Sequence, residues 1–269
     1  MRRTVVLSVM VVAAMSACGS GTELATSTVS TLDLVAAAPA AAAAQRTAHI
    51  NGVMTVSTPD GDVTVAIAGG TDFEAGAMDL TLDMSDMPGI GSVGKIEMRL
   101  VDGTMYMNMG ALSGGKGLVP GLGSRPWVAM DLKQFGVSQS QLTSQNPADM
   151  LQGLRGSNKV TDLGTATIDG ATTHHYRANV DLAKAMAKLS SKVRDRAKAS
   201  LKDFGATFPM DVWIGEDGLP RRMRVRLDAA GVGVDERIDF TKYGEPVDVQ
   251  APPSDQTTNM DDLKSLSAD

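Results

Sequence analysis

From Ile50 to Met109 apolar and polar residues alternate with a period of two, the spacing of strands that keep one face dry and the other wet. Ile50, Met54 and Val56 share a face. The chain then turns at Asp60-Gly61, where glycine supplies the positive φ of a tight hairpin, and Val63, Val65 and Ile67 return along the first strand. Met78, Leu80, Leu82 and Met84 alternate with Asp79, Thr81, Asp83 and Ser85, and Ile96, Met98 and Leu100 alternate with Glu97, Arg99 and Val101. Asp102-Gly103 turns the chain into Met105, Met107 and Met109, with Tyr106 and Asn108 on the opposite face.

The pattern continues after a break. Gly110 to Pro126 is glycine-rich and apolar without a period, which predicts a rim rather than an element. Trp127 to Leu132, carrying Met130, reads as a short strand, and Pro147 to Gly156 as a short helix. Val160 to Ile168, the Asp169-Gly170 turn and Thr172 to Val180 predict another hairpin. The longest helical pattern runs from Asp181 to Phe204. There Leu182, Met186, Leu189, Val193, Ala197, Leu201 and Phe204 recur at three and four, and Lys184, Lys188, Lys192, Asp195 and Lys202 take the other side. Met210 to Ile214, the Asp217-Gly218 turn, Met223 to Leu227 and Val234 to Phe240 predict a closing meander. Upstream, Leu32, Leu34 and Val35 lead into Pro39 and alanines to Ala44, predicting either a helix with proline in its first turn or an alanine-rich linker. The expected fold class is α+β: a curved antiparallel sheet of about ten to eleven strands with helices covering its concave face, making one domain of residues 32–269.

The first residues follow another logic. Met1-Arg2-Arg3, an uncharged apolar stretch from Val5 to Met15 and Ser16-Ala17-Cys18-Gly19 have the order of a secretory signal. The stretch is about a dozen residues long, against roughly 20 for a membrane-spanning helix. Cys18 is the one cysteine of the chain and stands at the expected cleavage site, so it has no disulfide partner in an oxidising compartment. Met15-Ser16-Ala17-Cys18 resembles the lipobox of bacterial lipoproteins, in which the cysteine thiol receives diacylglycerol, although methionine stands where leucine is usual. The expectation is a signal peptide over residues 1–17, lipid on Cys18, a Gly-, Ser- and Thr-rich tether to residue 31, and a mature protein anchored to the outer face of the cell membrane. An ordinary signal cut near Ala17 would instead leave a free thiol.

Charge and composition exclude several classes. The net charge of -6 becomes more negative once Arg2 and Arg3 leave with the signal, and no basic or aromatic motif offers nucleic acid a footprint. His174 and His175 are adjacent on a predicted strand and so face opposite ways, which leaves His49 alone and no expected zinc site. Met105, Met107 and Met109 have the softness Cu(I) prefers, but no cysteine or histidine nearby completes a site, so they are expected to line an apolar surface. No Gly-x-Ser-x-Gly, Ser-x-x-Lys or His-Glu-x-x-His is present, and neither catalysis nor a cofactor is expected. Arg222, Arg224 and Arg226 alternate on the last meander, to be solvated or to meet anionic headgroups or a partner.

The Cys18 lipobox, the meander from Ile50, the helix from Asp181 and the stretch Phe208-Pro209-Met210-Asp211-Val212-Trp213-Ile214-Gly215-Glu216-Asp217-Gly218-Leu219-Pro220-Arg221 together resemble the LppX/LprG type of mycobacterial lipoproteins, relatives in fold of the LolA and RseB carriers. The resemblance covers nearly the whole mature chain. It implies an open half-barrel with helices over its concave side, enclosing an apolar cavity for the acyl chains of a lipid or glycolipid, no enzymatic residues, and transfer to an envelope partner. An RseB-like sensor that signals through a protein contact is the other role it implies. The expected cavity lining is Met54, Val56, Val65, Ile67, Met78, Leu80, Leu82, Met84, Ile96, Met98, Leu100, Met105, Met107, Met109 and Met130 from the strands, with Leu182, Met186, Leu189 and Val193 from the helix. Composition agrees: aromatic residues are 4% of the chain while methionines number 17, and flexible thioethers adapt to ligands of irregular shape.

Overall fold

The computed structural model of the protein describes residues 31–85, 94–110, 125–135, 147, 151, 160–181, 183, 206–229, 231–260 and 262. These form one helix, α1 (Thr31–Ala43), and the strands β1 (Thr47–Thr58), β2 (Gly61–Asp72), β3 (Ala77–Asp83), β4 (Lys95–Val101), β5 (Thr104–Asn108), β6 (Trp127–Asp131), β7 (Val160–Ile168), β8 (Ala171–Asp181), β9 (Thr207–Gly215), β10 (Pro220–Ala229), β11 (Val232–Thr241) and β12 (Thr257–Asn259). All twelve belong to one open sheet in the order β12-β6-β5-β4-β3-β2-β1-β11-β10-β9-β8-β7. Two meanders make it. β1 to β6 run outward to one edge, β7 to β11 run inward from the other, and they join where β1 pairs antiparallel with β11 from His49↔Thr241 to Ser57↔Gly233.

The expected hairpins are present, with their turns set by local chemistry. Asp102-Gly103 and Asp169-Gly170 each place both residues at positive φ, the type I′ geometry whose twist matches that of the strands. The first turn differs in detail: Thr58 pairs with Gly61, so Pro59-Asp60 form the loop and Gly61 opens β2. Met84 and Met109 lie one residue beyond β3 and β5, and Leu132 begins a short 3-10 turn rather than ending β6. Asp181 closes β8 instead of starting a helix; the predicted helix beyond it lies outside the described residues except Ala183, which is helical. Residues 111–124 of the rim lie outside them, as do the signal, Cys18 and the tether up to residue 30.

Two features depart from expectation. Pro39 sits inside α1 rather than in its first turn, because the helix starts earlier, at Thr31. Its ring removes one backbone donor, a loss tolerated here in a helix clamped on its buried side by Val35, Ala38 and Ala42. The twelfth strand was not foreseen, since Thr257-Thr258-Asn259 is too short to show a period. It pairs parallel to β6, at the far edge from its neighbour in sequence.

The segment between β11 and β12 reaches that edge by crossing the polar side of the first meander. Thr47 Oγ1 donates to the Glu245 carbonyl at 2.7 Å, and Arg99 Nη1 donates to the Gln250 carbonyl at 3.3 Å. Between them Val247 lies over Gly70, where a Cβ would stand 2.8 Å from its Cγ1. Arg99 also lies over the Trp127 ring, 4.9 Å from its centroid, so the strap, β4 and the β6 edge are tied together.

Gly69, opposite Leu80 in β2, has no room for a side chain: a Cβ there would stand 2.0 Å from the Asp79 carbonyl oxygen. Gly69→Ala is expected to force β2 and β3 apart and lower stability by about 2 kcal/mol. Chemical denaturation of the two proteins checks this, with a reduced midpoint expected for the variant.

Candidate functional site

Strand register sorts the side chains into two sheet faces of opposite character. On one face an apolar row crosses eight strands: Ile96, Leu82, Ile67, Gly52, Ile238, Met223, Val212 and Tyr176, each directly opposite the next. A parallel row runs Val128, Met107, Met98, Leu80, Gly69, Ile50 and Phe240. Because neighbouring residues on a face lie about 5 Å apart across strands, each row is a continuous apolar band rather than scattered patches.

The two halves of this face are covered differently. Over β8 to β11 it is a packed core: Val35, Ala38 and Ala42 of α1 and Leu151 press on Tyr176, Ala178, Met210, Val212, Ile214 and Met223, all buried. Over β1 to β6, Val65, Leu80, Ile96 and Leu100 are buried, whereas Met54, Val56, Ile67, Met78, Leu82, Met84, Met98, Met105, Met107, Met109 and Met130 are only half-buried. Local plugs exist at its edge. Leu132 packs on Leu100, Met78 and Met105, and Met260 packs on Val128 and Met109.

Thirteen of the fifteen residues expected from the strands therefore occur on one half of one face, and Met84 and Met109 follow directly after β3 and β5. Leu182, Met186, Leu189 and Val193 lie outside the described residues. Sequence reading passed over two things that the same alternation contains: the β8 to β11 half of the face, and the one residue of β1 to β6 and β9 to β11 that interrupts it. That residue is Glu236. It stands between Met54 of β1 and Val225 of β10, with Val234 and Ile238 before and after it on its own strand. Burial alone pushes its carboxyl above the ordinary range, and it has no hydrogen-bond or ion-pair partner among the described residues.

The opposite face holds the charges. Arg222 pairs with Asp239, Nη2 to Oδ2 at 2.8 Å; Arg224 Nε donates to Asp235 at 2.7 Å; Arg226 reaches Asp235 at 3.5 Å and Asp211 at 3.7 Å. These arginines are neither simply solvated nor free for headgroups, because each is matched to an aspartate across a strand. Asp211, with 3% of its side chain exposed, is the hub: Arg177 donates to both its oxygens, at 2.8 and 3.0 Å, and His175 Nε2 lies 2.9 Å away. Burial alone would raise its carboxyl, but the hydrogen bonds from Arg177 and His175 outweigh it and hold the carboxyl below the usual range. His175 stacks on Trp213 at 4.1 Å, while His174, on the apolar side, stacks on Tyr176 at 6.4 Å, so the two histidines do face apart.

No family model matches the chain, and no curated protein does. Its fold is similar to that of LprF from Mycobacterium bovis (14% identity over 82% of this chain and 96% of that one, TM-score 0.49). It is also similar to the lipoprotein LppX of Mycobacterium tuberculosis (14% identity, 82% and 100% covered, TM-score 0.48). A third similar structure is the MucA/MucB complex of Pseudomonas aeruginosa (14% identity, 84% and 58% covered, TM-score 0.32).

Buried Asp211 and half-buried Glu236 should show opposite pH dependence. Asp211 has a depressed carboxyl, so its contribution to stability is present above the unfolded value of 3.8 and is lost as pH falls through the lower folded value. Asp211→Asn is expected to cost about 2 kcal/mol at pH 7, the loss of charge-assisted hydrogen bonds, and progressively less in acid. Glu236 is raised, so the wild type is penalised as pH climbs above 4.5, and Glu236→Gln is expected to be the more stable protein at pH 7 with the gain vanishing in acid. Thermal melts from pH 3 to pH 7 check both signs.

Proposed function

We propose that the chain is an exported lipoprotein, held at the outer face of the cell membrane by acyl chains on Cys18, that takes up a hydrophobic lipid or glycolipid on the apolar face of β1 to β6 and passes it to another envelope component. The observation that carries this reading is the unequal cover of that face: sealed by α1 and Leu151 on one half, half-exposed and methionine-rich on the other. A polar site is not required for tight binding. Each ligand methylene buried contributes roughly 0.8 kcal/mol, so an acyl chain laid along one apolar row gathers its affinity from area alone.

The mechanism is burial without chemical change, and the residues assigned to it carry no nucleophile or general base. Thioethers at Met78, Met98, Met105, Met107 and Met130 follow the shape of a bent or branched chain at little rotamer cost. The first six strands thus act as the ligand floor, with the ion-paired opposite face keeping that floor stiff. The resemblance to LppX/LprG lipoproteins supports the same assignment of cargo class. Residues 18–31 serve as the tether and the remainder as a single binding domain.

Native mass spectrometry of the full-length chain from an actinobacterial host is expected to show a stoichiometric lipid, and a lipid-free mass across several hosts would remove the proposal. Leu82→Arg and Met107→Arg place a charge on the floor at half-buried positions and are expected to reduce uptake at least about tenfold, given the cost of desolvating an unpaired charge. Circular dichroism keeps a folded, non-binding variant distinct from an unfolded one. Exchange of lipid between two vesicle populations by the protein alone is expected of a carrier, and dependence on a membrane partner would point to a sensor.

A further inference from the structure

Every inward position described on β1 to β6 and β9 to β11 is apolar, glycine, proline or threonine, with the single exception of Glu236. The surrounding sequence makes the exception sharp. In Val234-Asp235-Glu236-Arg237-Ile238-Asp239-Phe240 the odd positions are charged and belong to the ion-paired face, and the even positions are apolar except 236. Arginines are plentiful one residue away in either direction across the ladder, at 224, 226 and 237, yet all lie on the other face, and none can reach this carboxyl through the sheet.

A half-buried carboxyl so placed is costly for folding alone, since it loses part of its water and has no partner among the described residues to replace it. It stands at the seam of the two meanders, with the packed half of the face on its β10 side and the methionine floor on its β1 side. A ligand laid along that floor toward β11 would reach this carboxyl where the cover begins. The group that satisfies this carboxyl must be uncharged or cationic, and an acyl lipid meets it through a hydroxyl or ester. A phosphate would put two acids together with no lysine or arginine on the face of these strands to separate them.

Resting on the lipid-carrier reading, we propose that Glu236 is the polar anchor of the floor: it hydrogen-bonds the hydroxyl or ester of an uncharged acyl lipid, such as a diacylglycerol, and so sets which lipids are taken and how far along the rows they lie. The burial that raises its carboxyl favours the protonated form, which both donates and accepts, as a glycerol hydroxyl and an ester carbonyl require.

The test compares three probes on the full-length chain: dioleoylglycerol, phosphatidic acid with the same acyl chains, and squalene, a hydrocarbon with no polar group. For the wild type, dioleoylglycerol is expected to bind more tightly than phosphatidic acid. Glu236→Leu is expected to weaken dioleoylglycerol about fivefold, the loss of one hydrogen bond, and to leave squalene unchanged or slightly tighter. Glu236→Gln, which keeps donor and acceptor, is expected to retain dioleoylglycerol within about twofold. Equal loss of dioleoylglycerol and squalene in Glu236→Leu would mean a packing role, and unchanged dioleoylglycerol in that variant, or preference for phosphatidic acid in the wild type, would overturn the anchor. Failure of the wild type to bind any of the three would instead overturn the carrier reading itself.

Discussion

The pairing of β1 with β11 is the constraint on which the rest depends. Each meander alone would be a ribbon with an apolar side and no fixed relation to the other. The register that sets Gly52 opposite Ile238 and Met54 opposite Glu236 puts both apolar sides on one surface, because side chains alternate with a period of two. A slip of one residue would carry Ile238 and Phe240 to the ionic side and set Arg237 among methionines. The contact is guarded at both faces: Phe240 and Ile50 belong to the core under α1, and Asp239 is held by Arg222 on the reverse.

Most of the sheet was legible in the chain, because alternation over strands as regular as Met78 to Leu82 needs no tertiary information. Side-chain direction follows from the pleat, which is why the methionines predicted to share a face do so. The turns at Asp102-Gly103 and Asp169-Gly170 were legible for an equally local reason, the positive φ at both positions. What escaped reading was set at long range. β12 exists because a strap from β11 delivers Thr257 to Trp127, and nothing in three polar residues announces that. The extent of α1 depends on the sheet beneath Val35, Ala38 and Ala42, so the proline that suggested a start became an interior residue.

The ionisable residues teach the same lesson in the other direction. Read one at a time, Arg222, Arg224 and Arg226 look like a basic stripe available for an anion. Cross-strand register turns them into half of a ladder whose other half is Asp239, Asp235 and Asp211, so their charge is spent within the sheet. Glu236 shows the converse. Its neighbours in sequence suggest an ordinary member of a charged run, and only the parity of its position separates it from Asp235 and Arg237. In a sheet of this breadth, parity decides more about a charged residue than its chemical type does.

The long way round taken by the chain has a consequence for how the protein is made. Thr241 lies beside His49, 192 residues away in sequence, and the strap that crosses β2 and β4 comes later still. Closing such a loop is slow, and the first meander keeps the β1 edge bare until nearly the whole polypeptide has been delivered. A chain issued from its amino terminus therefore stays unfinished for most of its synthesis. That delay leaves the bare β1 edge as the place where premature self-association would begin.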